Sequence, residues 1–216
     1  MKKLVVASGN PGKIREFEQM LNPLGFEIVP QSRLGISETE EPHATFLENA
    51  LAKARHAGRL SGMPAFADDS GICVTALGGE PGVYSARYAA DTPRGAGDGR
   101  AAQDTRNNLK LIAALAKERD RSAHYYCVIV LVRHAMDPEP LIAEGRWYGE
   151  VVAEPRGSGG FGYDAYFYVP TLGRTAAELA PEEKNAVSHR GQALKHLVAR
   201  LLEERNEDGR GACPAL

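Results

Sequence analysis

Apolar positions along the chain follow two periods, and the switches between them mark out the elements. Leu4-Val5-Val6-Ala7 is a short continuous apolar run. It predicts a buried strand running into the turn residues Ser8-Gly9-Asn10-Pro11-Gly12. From Lys13 the spacing becomes helical, with Ile14, Phe17, Met20, Leu21 and Leu24 on one stripe, and Phe26 to Pro30 predicts a second strand. Thr45 followed three residues later by Glu48 has the form of a capping box. Phe46, Leu47, Ala50, Leu51 and Ala54 then line one helical face.

Ala65-Phe66-Ala67 predicts a short strand ending at Asp68-Asp69-Ser70-Gly71, and apolar Ile72 to Leu77 leads into a turn at Gly78-Gly79-Glu80-Pro81-Gly82. Residues 89–106, rich in Gly, Ala, Arg and Asp, are the best candidate for a mobile loop. A helix is expected from about Thr105 to Arg119, carrying Leu109, Ile112 and Leu115 inward. Tyr125 to Arg133 is a strand of β-branched and aromatic residues, and residues 141–153 form one or two more. A glycine loop, Gly157 to Gly160, precedes Phe161-Gly162-Tyr163-Asp164. The last helix is expected from near Glu182, with Ala193, Leu194, Leu197 and Leu201 inward, and the tail from Arg205 is polar and expected to fray.

Early alternation of strand and helix, then consecutive strands, predicts an α/β fold with a mixed sheet flanked by helices. Residues 1–205 are expected to form a single domain and 206–216 a polar tail. Composition adds limits: 43% hydrophobic and 25% charged residues suit a globular chain. A formal charge of −2 provides no long-range basic field, so an anionic ligand must be held by a local site, and a nucleic-acid-binding module is disfavoured. Cys73, Cys127 and Cys213 form neither a disulfide framework nor a zinc signature, and the first two read as small core residues. The absence of an apolar stretch of about 18 residues argues against a transmembrane helix, and a cytoplasmic location is the default expectation.

Four constellations bear chemistry. Ser8-Gly9-Asn10-Pro11-Gly12-Lys13, between strand and helix, offers backbone N–H groups, a positive helix end and an ammonium to an anion such as a triphosphate; it reads equally as an ordinary strand-to-helix turn. Its spacing is not that of a Walker A loop. Asp68 and Asp69 are either magnesium ligands, with Glu38, Glu40 or Glu41 as a further donor, or an Asx-type turn beside a solvated acidic loop. In Gly159-Gly160-Phe161-Gly162-Tyr163-Asp164, glycines admit a flat ligand, Phe161 or Tyr163 could stack on a base and Asp164 could bond its edge; the alternative is a tight turn closed by core aromatics. Lys184, His189 and Arg190 could bind phosphate or a purine carbonyl, or form a solvated helix face. Together the four supply what metal-assisted hydrolysis of a nucleoside triphosphate requires.

These motifs, with FLENALAKA at 46–54, ADDSG at 67–71, LGGEPGVYSARY at 77–88, GGFGYD at 159–164 and EKNAVSHRG at 183–191, come in one order. In that order they resemble the inosine/xanthosine triphosphate pyrophosphatase family, the non-canonical purine NTP pyrophosphatases, from about Lys3 to about Leu202. The stretch from about Ala90 to Arg106 is longer than that family's usual one. The resemblance implies an elongated mixed sheet with helices, in two lobes with a central cleft, a homodimer, and magnesium-dependent conversion of ITP, dITP and XTP to monophosphate and pyrophosphate. It implies that Ser8, Gly9, Asn10, Pro11, Gly12 and Lys13 hold the triphosphate and that Asp69 is the catalytic carboxylate, as general base or metal ligand. Glu40 is implied as a further metal ligand, with Glu41 as the alternate. Ser70 would touch substrate; Phe161, Gly162, Tyr163 and Asp164 would enclose base and sugar; Lys184, His189 and Arg190 would contact phosphate and base. A donor from Arg190, His189 or backbone N–H to purine O6 would accept hypoxanthine and xanthine and oppose adenine. A related pyrophosphatase acting on modified pyrimidines or dTTP is disfavoured by the Ser-His-Arg and Asp-Asp-Ser-Gly runs.

Overall fold

The computed structural model of the chain describes residues 2–91 and 99–208, with side chains to residue 203. Strand β1 (Lys2–Val6) buries Leu4, Val5 and Val6. Helix α1 (Pro11–Leu21) follows at once. Asn10 caps it, its Oδ1 accepting from Gly12 N at 2.9 Å, and Pro11 takes a first-turn position where a missing N–H costs nothing. Phe17 and Leu21 face inward, and the Phe17 and Phe66 rings meet edge to face at 5.0 Å. Strand β2 (Phe26–Pro30) lies parallel to β1, with Leu4 opposite Ile28.

Helix α2 (Phe46–Ser61) starts at the expected cap: Thr45 Oγ1 accepts from Glu48 N at 3.2 Å and donates to Glu48 Oε2 at 2.6 Å. Its buried stripe is Asn49, Ala50, Ala54, Ala57 and Gly58, while Leu47 stays 40% exposed. Small residues rather than leucines set the inward face, so that face is rotated from the expected one. Strand β3 (Ala65–Val74) is longer than expected and passes straight through Asp68-Asp69-Ser70-Gly71, where the strand was expected to end. Strong cationic partners for both carboxylates, described below, let the strand continue through them.

Helix α3 (Arg100–Ala114) begins earlier than the spacing implied and leaves Leu109 60% exposed. Its inward side takes Asn107, Asn108 and Leu111. Asn107 earns burial by bonding: its Oδ1 accepts from Ala89 N at 2.9 Å, and its amide donates to Ser85 O at 3.2 Å and Ala86 O at 3.1 Å. Of the expected mobile loop, residues 92–98 lie outside the described residues, as do residues 209–216 of the tail, Cys213 among them.

Strands β4 (Ser122–Val132), β5 (Leu141–Val151), β6 (Phe167–Val169) and β7 (Arg174–Thr175) complete a seven-stranded sheet of order β2-β1-β3-β4-β5-β6-β7. It is mixed: β1 pairs in parallel with β2 and β3, whereas β6 pairs antiparallel with β5 and β7. The expected single last helix is two, α4 (Pro181–Val187) and α5 (His189–Asp208), because Ser188 leaves the helical region at ψ 160°.

The chain folds into two compact units. The first comprises the described residues within 1–69, 127–145 and 190–216, and its core joins Val6, Phe17, Leu21, Phe66, Ile129, Leu131, Leu194 and Leu197. The second comprises the described residues within 70–126 and 146–189, with a core of Ile72, Leu111, Leu115, Tyr125, Trp147, Tyr163 and Phe167.

Candidate active site

In the first unit the Ser8–Lys13 turn is tied by its own side chains. Ser8 Oγ accepts from Asn10 N at 3.2 Å, and Asn10 is buried. The Asn10 side-chain amide Nδ2 has no protein partner among the described residues. A buried N–H donor left unmatched is costly unless a ligand takes it. Gly9 carries the carboxylate of Glu38 directly against it, where a methyl group would collide with Glu38 Oε1.

The two neighbouring aspartates on β3 project to opposite faces, as strand geometry requires, and so meet different partners. Asp68, with a side chain 0% exposed, pairs with Lys13 Nζ at 2.8 Å and with Arg190, whose Nη2 lies at 3.2 Å and Nε at 3.3 Å. Burial alone would push its carboxyl up, but Lys13, Arg190 and Lys53 outweigh that and hold it well below the usual carboxylate range. Arg190 is itself buried and also donates to Glu16 Oε2 on α1. Its guanidinium is committed to these two carboxylates rather than displayed as a solvated helix face.

Asp69 faces α2. Its Oδ1 pairs with Lys53 Nζ at 3.0 Å and its Oδ2 accepts from Asn49 Nδ2 at 3.3 Å. The same Lys53 ammonium pairs with Glu41 Oε1 at 2.6 Å. Burial is the larger influence on Asp69 and pushes its carboxyl up despite the nearby Lys53 and Lys13. Burial would lower Lys53, but Asp69 and Glu41 prevail and its ammonium is pushed up to about 12. Glu41 is thus the acidic-loop residue that shares a cation with Asp69, while Glu40 is exposed.

The second unit holds the other candidates. Ser70 is half-buried on β3. Gly160 adopts φ +72°, a region open to glycine, which lets the chain fold back so that Asp164 Oδ2 accepts from Phe161 N at 2.9 Å. Asp164 Oδ2 also accepts from buried Lys184 Nζ at 2.8 Å, and that ammonium lies 4.7 Å from the Phe161 ring centroid. From α3, Asp104 Oδ2 accepts from Gly162 N at 3.1 Å and Asn108 Nδ2 donates to Gly162 O at 2.9 Å. Tyr163 is a core residue whose hydroxyl donates to Ser85 O at 2.8 Å, which leaves half-buried Phe161 as the aromatic ring of this loop nearer solvent. His189 stacks on Tyr125 at 4.6 Å with an interplanar angle of 8°.

Sequence reasoning missed Lys53, Asn49, Glu16 and Tyr125. Asn49 and Lys53 had a readable signal, four residues apart on one helical face beside the small buried residues. Glu16 follows Lys13 by three residues and shares its side of α1 in the same way. Tyr125 had none, since an aromatic in a strand run is ordinary core.

The first unit therefore belongs to a class of α/β proteins that set a glycine turn and helix N-terminus beside paired strand carboxylates, an arrangement suited to phosphate chemistry. The model of the Ham1 family matches residues 4–200, and the chain belongs to that family. A protein of Ralstonia nicotianae named dITP/XTP pyrophosphatase is 62% identical over 203 residues, 93% of this chain and 97% of the relative. One of Nitrosomonas europaea with the same name is 59% identical, covering 94% and 96%. Among solved structures, a HAM1 protein from Coxiella burnetii matches with TM-score 0.83 at 47% identity, over 94% of this chain and 100% of that one. The Ham1 protein of Staphylococcus aureus matches with TM-score 0.79 at 38% identity, over the same shares.

Proposed function

We propose that this protein hydrolyses the non-canonical purine nucleoside triphosphates ITP, dITP and XTP to monophosphate and pyrophosphate, with magnesium, as a cytoplasmic homodimer that clears these nucleotides from the pool and uses no nucleic-acid or membrane partner. The observation that carries the reading is the buried, unmatched Asn10 donor in the Ser8–Lys13 turn of the unit that also holds Asp68 and Asp69. The names of the relatives point the same way.

Magnesium favours hard oxygen donors, one or two carboxylates completed by substrate phosphates and water. Asp69 and Glu41 fit that need: they share one cation, and among the described residues no group of three His, Cys, Asp or Glu forms a self-sufficient metal site. Glu40 takes second place because it is exposed. When bound there, the ion would neutralise phosphate charge and polarise phosphorus.

The chain's own residues do the rest. Ser8 to Lys13 bind the phosphates with amide, hydroxyl and ammonium donors. Asp68 holds Lys13 in place and is held by Arg190, so Arg190 serves the phosphate side by positioning. Asp69 accepts the proton of the attacking water as the water oxygen bonds to phosphorus, the α–β anhydride bond breaks and pyrophosphate leaves. Ser70 and Lys184 meet the substrate, and Phe161, Gly162, Tyr163 and Asp164 form the loop for base and sugar, Phe161 supplying the stacking face. His189 or backbone N–H donates to O6. Adenine then sets donor against donor and is rejected.

Initial rates of pyrophosphate release from ITP, XTP, GTP and ATP, with magnesium and with chelator, test this. Turnover of ITP and XTP that needs magnesium and far exceeds that of ATP is expected. Equal rates on ITP and ATP would defeat the O6 account, and no release from any of the four would defeat the function.

A further inference from the structure

We infer that Tyr125 is a specificity-determining residue that supports inosine over guanine nucleotides by occupying Asp164 and backing His189; this rests on the function proposed above. Tyr125, on β4, is 7% exposed and lies at the centre of the second unit's aromatic cluster. Its ring touches Phe167 at 4.6 Å and lies parallel to His189 at 4.6 Å. Its hydroxyl donates to Asp164 Oδ1 at 3.3 Å. One side chain thus meets both the loop of the base site and the histidine proposed to read O6.

The hydroxyl matters because of what it supplies to Asp164. Lys184 Nζ and Phe161 N both donate to Oδ2, whereas Tyr125 serves Oδ1. A buried carboxylate oxygen short of a donor is costly, and any N–H that a ligand brings relieves the cost. Guanine and hypoxanthine share O6 and N1–H, and guanine alone adds a 2-amino donor. With Tyr125 on Oδ1, the oxygen has less to gain from that amino group. The ring acts separately: a face-to-face stack covers one side of the imidazole and fixes its tilt, so His189 can present only its edge and other face.

Two variants divide these contributions. Tyr125→Phe keeps the ring and removes the donor; Tyr125→Leu removes both. Steady-state kcat and KM are measured for ITP and GTP with magnesium, alongside thermal melts. Tyr125→Phe is expected to reduce the ratio of kcat/KM for ITP to that for GTP by roughly tenfold, mostly through KM for GTP, since matched and unmatched polar partners differ by about that factor. Tyr125→Leu is expected to reduce the same ratio at least as far. A merely structural role would scale both substrates together and leave the ratio unmoved. A ratio within about twofold of wild type in Tyr125→Phe overturns the inference whether or not Tyr125→Leu folds. Wild-type protein that releases no pyrophosphate from ITP marks failure of the parent reading instead.

Discussion

Replacing Asp68 by Asn keeps the side chain's shape and deletes the charge toward which Lys13 and Arg190 both point. The carboxylate has no solvent to fall back on, its side chain being 0% exposed. Removing one partner of a buried ion pair costs about 3–5 kcal/mol, because the surviving charge is left uncompensated. Arg190 retains Glu16, and Asn retains a carbonyl acceptor, so the lower end applies, about 3 kcal/mol. For a chain of this size that lowers Tm by roughly 6–12 °C.

Asp69→Asn, one residue along, is expected to behave differently. Lys53 loses Asp69 as a partner but keeps Glu41 at 2.6 Å, so no buried cation is left uncompensated, the neutral amide costs less, and Tm moves by less than about 3 °C. Turnover of ITP instead falls by about 10²–10⁴-fold, the usual worth of a positioned base. Both variants are compared with wild type by circular-dichroism melts at pH 7 without metal and by pyrophosphate release with magnesium. Asp68→Asn loses some activity too, through Lys13, so the two are separated on the melting axis. An Asp69→Asn protein that melts below Asp68→Asn, or that keeps near-wild-type turnover, would refute the reasoning.

Other outcomes follow from the packing and charge. Gly71→Ala places a methyl group against the Gly82 carbonyl oxygen and Ser85 Oγ, and backbone cannot swing aside, so urea denaturation should show a loss of about 2–3 kcal/mol; an unchanged midpoint contradicts it. Burial pushes the Asp137 carboxyl up, but the backbone N–H groups of Arg133 and Glu139 and the Arg133 guanidinium bring it below the usual range. The unfolded chain then binds more protons near pH 4, so stability from Asp137 is present above about 3.9 and lost as pH falls further. Asp137→Asn should flatten that limb of the urea midpoint against pH. Glu38→Gln removes a negative charge lying against Gly9 and should lower KM for ITP by roughly two- to fivefold at low salt, with the gain shrinking in high salt; a KM that ignores both changes removes Glu38 from the phosphate bed.

Much of this architecture was readable from periodicity, and the departures share a cause. Helices α1 and α2 and the cap at Thr45 were legible because local chemistry decides them: Asn10, Pro11 and the Thr45–Glu48 pair act within one turn. Strand β3 was misread as ending at Asp68 because two adjacent carboxylates resemble a solvated turn; their cationic partners come from α1, α2 and α5, which sequence spacing cannot bring together. Likewise Leu109 was expected inside but stands 60% exposed, and Asn107, which the spacing did not single out, is buried by three long-range bonds to backbone. The motifs singled out these segments, but sequence alone did not show which protein groups their side chains meet. Arg190 and Tyr163 look like ligand contacts in sequence and are buried partners of other protein groups in the fold.

The charge arrangement of the first unit also bears on how a triphosphate can enter. Lys13 and Lys53 and the Arg190 guanidinium are each already paired with carboxylates, from Asp68, Asp69, Glu16 and Glu41, and Glu38 adds another at Gly9. A bare polyphosphate would bring several more negative charges to a place where every cation named is shared with an acid. Amides and the Asn10 side chain offer partial charges only. The balance favours an anion that arrives with its own cation, and on the function proposed above magnesium would then take part in binding as well as in chemistry. Inorganic tripolyphosphate is the direct probe, because it carries the charge without the base. Its affinity, measured by calorimetry, should rise at least about tenfold when chelator is replaced by magnesium, a difference that one well-placed opposite charge supports at a partly buried site. Equal affinity in the two conditions would mean that the lysines meet the phosphates unaided, and the assignment of Asp69 and Glu41 to a metal would then lose its electrostatic basis.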